Sequence, residues 1–153
     1  MAETRTKPRA IDPVWDRITS EAHEAVAKEP LMGGLVHACI LHHKTLERAL
    51  SYRIAAKLCS NEMSMMVLRE VANEAYDDDP TLVEAARADL NAVLERDPAT
   101  LRMLQPILYY KGFQGMQAHR LAHWLWAKGR TDLAYFLQMR CSEVYGIDIH
   151  PAA

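Results

Sequence analysis

The sequence predicts an all-α domain of seven or eight helices, closed by a short segment of a different kind. Apolar residues recur at helical spacing from Asp12 to Glu143. Three Asp-Pro pairs, Asp12-Pro13, Asp79-Pro80 and Asp97-Pro98, each place a favoured N-cap before a residue whose missing N–H costs nothing at the first helical position. No convincing strand precedes Ile147.

Asp12 opens the first helix, with Val14, Trp15, Ile18, Ala22, Ala25 and Val26 on one stripe, and Pro30 ends it. A second helix is expected from Leu31 to about His42. A third runs from Thr45, an N-cap candidate, to about Leu58, with Leu46, Ala49, Leu50 and Ile54 at helical spacing. Ser64 heads a capping-box-like start, weakened because Val67 stands where a Glu would close the box. That helix carries Leu68, Val71, Ala72 and Ala75 and stops in Asp77, Asp78 and Asp79. The acidic run suits the lead-in to the helix after Pro80, because a helix C-terminus favours cations. Asp97 then restarts the chain. "LQPILYYKGF" breaks the pattern at Pro106 and Gly112, a long amphipathic helix follows through "QGMQAHRLAHWLWAKG", and Gly129 is its left-handed C′ residue. The last helix spans about Thr131 to Tyr145. The organisation is thus a flexible lead over 1–11, a helical domain over 12–145 and a distinct segment over 146–153.

At 153 residues the chain is sized for one core, with half its residues apolar, a quarter charged and a net charge of −2. No basic surplus points to nucleic acid or an anionic membrane. The longest apolar run, near "LMGGLVHACIL", falls well short of the roughly 20 residues that span a bilayer, and "MAETRTKPRA" has no apolar signal region. A cytoplasmic location is expected. Cys39, Cys59 and Cys141 are odd in number, widely spaced and without a C-x-x-C pair, and read as reduced core thiols.

His119 and His123 share one helix face and could bind zinc, but Arg120 stands where a metalloprotease helix supplies Glu, and no third ligand is evident. They read as packing or hydrogen-bonding rings beside Trp124 and Trp126. His37, His42 and His43 read as a polar helix end. Tyr109, Tyr110, Phe113, Trp124 and Trp126 could line a ligand pocket, although a core or subunit contact is the simpler reading. Asp97, judged by its residues alone, is a cap like the other two Asp-Pro pairs. No Gly-rich phosphate loop and no G-x-S-x-G elbow is present.

Taken together, "DPVWDRI", "ALSYRIAAKL", "LREV", "ERDPA", "QPILYYKGFQGMQAHRLAHWLW" and "GIDIHPAA" resemble the N-terminal helical domain of bacterial serine O-acetyltransferases. The resemblance runs from about Asp12 to Ala153. It implies that "IDIHPAA" begins the first extended rung of a left-handed parallel β-helix of hexapeptide repeats, truncated after Ala153. Ile149 with Ala153 four residues on fits such a start, and a single rung needs stacked neighbours to bury its face.

The resemblance further implies transfer of an acetyl group from acetyl-CoA to L-serine, the step that commits serine to cysteine biosynthesis. A histidine beyond Ala153 would be the general base, and Asp148, matched through "DIHP", the carboxylate that orients it. Asp97, with Pro98 beside it, maps onto the carboxylate that grips the serine ammonium. His150 carries no implied role. Acetyl-CoA is a co-substrate whose site lies in the missing β-helix, so no resident cofactor and no metal are expected. A homohexamer, a dimer of trimers, is implied, with O-acetylserine sulfhydrylase docking on a missing C-terminal tail. The helical domain alone should be inactive. The alternative is a stand-alone helical assembly module without catalysis.

Overall fold

Asp12 opens the first helix as the sequence predicts: its carboxylate accepts the Trp15 N–H at 3.2 Å. In the computed structural model, which describes residues 11–153, this helix is α1 (Pro13–Lys28). The first ten residues of the expected flexible lead lie outside the described residues. Seven further α-helices follow: α2 (Gly33–Val36), α3 (Leu46–Leu58), α4 (Met65–Asp78), α5 (Thr81–Arg96), α6 (Leu104–Tyr109), α7 (Lys111–Ala127) and α8 (Thr131–Tyr145). Among the described residues there is no strand, so the architecture is all-α.

Most boundaries follow the sequence signals. Thr45 accepts the Arg48 N–H and Ser64 the Val67 N–H, each three residues on, as N-caps do. Gly129 (φ 75°) and Gly146 (φ 69°) take the left-handed conformation that ends α7 and α8. Arg140 of α8 donates to the Leu58 and Cys59 carbonyls at 2.9 and 3.1 Å, satisfying the C-terminal end of α3 from a distant helix.

Several expectations need correction. The helix expected over 31–42 is wound three ways: a 3₁₀ turn (Pro30–Met32), α2, and a π-turn (His37–Leu41). The wide turn leaves the Ala38 carbonyl to the His43 ring, whose Nε2 donates to it at 2.8 Å. The acidic run does not merely precede α5: Asp77 and Asp78 end α4. Asp77 pairs with Arg48 at 2.6 Å, and Asp78 accepts from Lys128 and the Trp124 indole at 3.0 and 2.9 Å, so side chains of other helices offset the unfavourable dipole. Gly112 does not break α7, which starts at Lys111. Asp97-Pro98 starts no helix, since the chain makes one turn there and resumes at Leu104.

The element that organises the body is α7. It packs on α8 most extensively and also on α3, α4, α5 and α6. It is buried on most sides rather than amphipathic, and its small residues Gly115, Ala118 and Ala122 let neighbours approach closely. Two amides inside this packing are satisfied: Gln114 donates to the Ile107 carbonyl at 2.7 Å and Gln117 to Asp89 at 2.8 Å. Arg53 of α3, 8 % exposed, ties α6 to the core through the Leu108 carbonyl at 2.7 Å. The three cysteines are free thiols, and burial pushes Cys39 up and Cys141 up to about 12, which keeps both protonated and unreactive.

Candidate active-site carboxylates

Asp97 ends α5, and its side chain folds back on the turn it begins. Oδ1 accepts the Ala99 N–H and Oδ2 the Thr100 hydroxyl, both at 2.9 Å. Thr100, 3 % exposed, also meets the Tyr110 hydroxyl at 2.8 Å, and Gln105 donates its amide to Tyr110 at 3.5 Å. A carboxylate only accepts, so the Thr100 proton is spent on Asp97 and the Tyr110 hydroxyl must donate to Thr100. The hydrogen bonds therefore run one way, from Gln105 through Tyr110 and Thr100 to Asp97. Gln105 is itself fixed, because its carbonyl accepts the Leu101 and Arg102 N–H groups, each at 2.8 Å.

This arrangement holds Asp97 half-buried at the edge of an open groove of about 550 Å³, between the end of α5 and the start of α7. Asp89, Arg96, Tyr110, Phe113 and Met116 line the same groove. Arg96 pairs with no carboxylate among the described residues, whereas Asp89 is held by Arg120 and Gln117. Each Asp97 oxygen keeps a further lone pair for a ligand donor. The groove thus offers a fixed anion and an unpaired cation over an aromatic wall. Tyr110 and Phe113 serve this wall, while Trp124 lies in the core, so the aromatic group divides between pocket and packing. Pro98 is exposed and does not line the groove.

Asp148 lies on a different surface. It shares no hydrogen-bond partner and no lining residue with Asp97. It is exposed, beside a shallow cleft of about 360 Å³ formed with Tyr135, Gln138, Met139, Ser142 and Glu143. Gln138 of α8 donates its amide to Asp148 Oδ1 at 2.9 Å.

The segment carrying Asp148 is stapled down mainly by α7 and α8. His123 Nδ1 donates to the Pro151 carbonyl at 2.8 Å and His119 Nε2 to the Ala153 carbonyl at 3.1 Å, so the histidine pair serves as a hydrogen-bonding clamp. Ile147 sits where a Cβ on Gly115 would overlap its Cδ1. His150 packs edge-on against Trp126 (4.9 Å between centroids) and Tyr135 (5.6 Å). Its Nδ1 accepts the Ala152 N–H at 3.1 Å, which places the ring proton on Nε2, facing the Tyr135 hydroxyl at 3.4 Å. Among the described residues, no three His, Cys, Asp or Glu side chains gather to hold a metal ion.

Residues 14–118 match the family model of the serine acetyltransferase N-terminal domain. The chain belongs to this family. It is 46% identical over 140 residues to the serine acetyltransferases of Salmonella typhimurium and of Escherichia coli K12, covering 92% of this chain and 51% of each relative. A serine acetyltransferase structure from Brucella abortus superposes with a TM-score of 0.90 at 43% identity, over 93% of this chain and 58% of that one. The Neisseria gonorrhoeae enzyme, solved in complex with serine, gives 0.89 at 41% identity, over 97% and 61%. The chain spans about half the length of the curated relatives it matches. Among the described residues no helix is long and apolar enough to cross a membrane.

The sequence singles out both carboxylates as candidates but not the groups that position them. Thr100 was within reach, because an Asp followed three residues on by Thr is a capped-turn pattern. Tyr110 stands out in the sequence only as one of a group of aromatics, and Gln105 and Gln138 left no local signal.

Proposed function

We propose that this domain serves serine O-acetylation as the helical half of a serine acetyltransferase. The observation that carries the reading is the Asp97 carboxylate, held by Thr100 and the Ala99 N–H at the rim of a groove with free Arg96, in a family one of whose members is solved with serine. An amino-acid zwitterion is the complement of that pair, its ammonium on Asp97 and its carboxylate toward Arg96. Family membership supports acetyl-CoA as the acyl donor, and a Brucella abortus relative is solved with coenzyme A.

In the reaction the serine hydroxyl oxygen bonds to the thioester carbonyl carbon, the carbon–sulfur bond breaks, and the hydroxyl proton ends on the departing thiol. A serine hydroxyl is a weak nucleophile at neutral pH, so a base must take its proton during attack. Asp148 is the carboxylate that holds this base, a histidine supplied beyond Ala153, in the tautomer with Nε2 free. No resident cofactor is needed for this chemistry.

Ile147–Ala153 begins a hexapeptide-repeat β-helix in this reading. Family resemblance supports assembly into trimers paired as a homohexamer, for which exposed apolar side chains such as Leu31 (93 %), Leu101 (76 %) and Met66 (71 %) are available. A cytoplasmic location, a step in cysteine biosynthesis and docking of O-acetylserine sulfhydrylase complete the proposal.

The test uses the complete polypeptide that carries this domain, with thiol release from acetyl-CoA followed against serine concentration. Saturable, serine-dependent release with O-acetylserine as product is expected. Release that does not depend on serine overturns the proposal and leaves the helical body as an assembly module.

A further inference from the structure

Asp148 follows the left-handed Gly146 by two residues, on a stretch that belongs to no helix, and its side chain is exposed. An exposed carboxylate on such a stretch samples several rotamers unless something selects one. Nothing local does so. Its carboxylate receives one hydrogen bond among the described residues, from a different element: Gln138 Nε2 to Oδ1 at 2.9 Å.

We propose that Gln138 is a positioning residue for the acetyl-transfer reaction, fixing the Asp148 carboxylate so that Oδ2 is left to hold the general-base imidazole. The inference rests on the reading of Asp148 given above.

Three features make Gln138 suited to this. It stands on α8, inside a helix that ends seven residues later at Tyr145, so its backbone is rigid relative to the segment it contacts. Its side chain lines the same narrow space as Ile147 and Ile149, the two neighbours of Asp148, together with His119, Ala122 and Cys141. The amide therefore arises from the floor on which the Asp148 stretch rests. Finally, an amide is a neutral donor. It selects the orientation of a carboxylate without cancelling its charge, whereas Lys or Arg would compete with the imidazole for the same anion. Only the charge left on Asp148 stabilises the imidazolium that forms as the serine proton is taken.

The backbone around Asp148 is set independently of Gln138. His123 holds the Pro151 carbonyl, His119 the Ala153 carbonyl, and Ile147 occupies the notch over Gly115. Removing the Gln138 amide should therefore release the carboxylate and leave its chain in place. That separation makes the proposal testable by kinetics.

In the complete enzyme, Gln138→Met keeps the length of the side chain and deletes the donor. We expect kcat to fall about 10- to 150-fold, the scale of one hydrogen bond to a charged group, with both Michaelis constants within about twofold and the thermal midpoint unchanged. The deciding measurement is the double-mutant cycle with Asp148→Asn. Once the charge of Asp148 is gone its orientation no longer matters, so Gln138→Met should change kcat by less than about twofold in that background.

A loss of the same size in both backgrounds would show that Gln138 acts elsewhere, and overturns the inference. So does a Gln138→Met enzyme that keeps kcat within twofold while Asp148→Asn loses a hundredfold or more, an outcome that leaves the reading of Asp148 intact. An Asp148→Asn enzyme retaining more than about a third of kcat removes that reading and the inference together.

Discussion

The two carboxylates are held in opposite ways. Asp97 is secured by its own neighbourhood: both oxygens are bonded within three residues, and the chain of donors behind it closes within a fourteen-residue span, Asp97 to Tyr110. Asp148 has no such support. Its single side-chain bond comes from ten residues away, and its backbone is fastened by histidines 28 and 34 residues distant from the carbonyls they hold. The contrast suits the roles proposed for them: a carboxylate that grips a small substrate gains from being rigid before the substrate arrives, and one that holds a second catalytic group needs a free oxygen, which sparse contacts leave.

The most damaging test of this contrast is Asp148→Asn in the complete enzyme. It keeps shape and removes charge, and should lower kcat roughly 10²- to 10⁴-fold, the range spanned by general-base catalysis, while binding of both substrates changes far less. Steady-state kinetics decide it, and a kcat above about a third of the parent's would return Asp148 to a purely structural role.

The helical body itself should be sensitive where α7 is enclosed. Leu125, fully buried, when cut to Ala should cost about 2–5 kcal/mol by denaturant unfolding, transfer and cavity costs together. If the loss were under about 1 kcal/mol, α7 would not be the packed centre that the contacts indicate.

Asp97→Asn separates ligand from cap. Asn keeps one acceptor, for the Ala99 N–H, and turns its amide toward Thr100, so stability should fall by no more than about 0.5–1.5 kcal/mol, one turn hydrogen bond, whereas serine use should weaken by about 1.5–3 kcal/mol through the lost charge-assisted contact. The Michaelis constant for acetyl-CoA should stay near the parent value. An unchanged response to serine would leave Asp97 as a turn residue only.

A smaller effect is expected at the start of α1. Burial alone would raise the Asp12 pKa, but the 2.6 Å contact to Arg87 and the Trp15 N–H outweigh it and hold the carboxyl below its ordinary value. The pair's stabilisation should be present above the ordinary carboxylate value near 4 and disappear as pH falls through the lower folded value. The difference in thermal midpoint between parent and Arg87→Met should therefore shrink on acidification below about pH 4. A constant difference would assign the effect to packing of the arginine stem.

The mildest change is His123→Ala. It removes one clamp on residues 147–153, worth about 0.5–1.5 kcal/mol locally, and should speed amide exchange there while the global unfolding midpoint barely moves. Equal protection in mutant and parent would mean that the Gly115 notch and the His150 ring cluster hold the segment without it.

Much of this molecule is legible in one dimension, for a definite reason. A helix is specified by residues within four positions of each other and by its caps, so Asp12, Thr45, Ser64 and Gly129 announce boundaries that the structure keeps. The same locality explains the misses. Asp97-Pro98 carries the letters of a helix start, yet Thr100 captures the carboxylate in a turn. The periodicity of α7 suggests one apolar face, but Gly115, Ala118 and Ala122 admit neighbours on other sides, which no count along the chain records.

By itself, then, the sequence determined most of the helices and their caps, the family, and the two candidate carboxylates. Only the tertiary structure decided what those carboxylates touch. The donors Tyr110 and Gln138, the clamp of His119 and His123, and the notch at Gly115 all join positions ten or more residues apart. Contacts at that range carry no period and no cap. They exist because helices packed around α7 bring distant side chains within hydrogen-bonding reach.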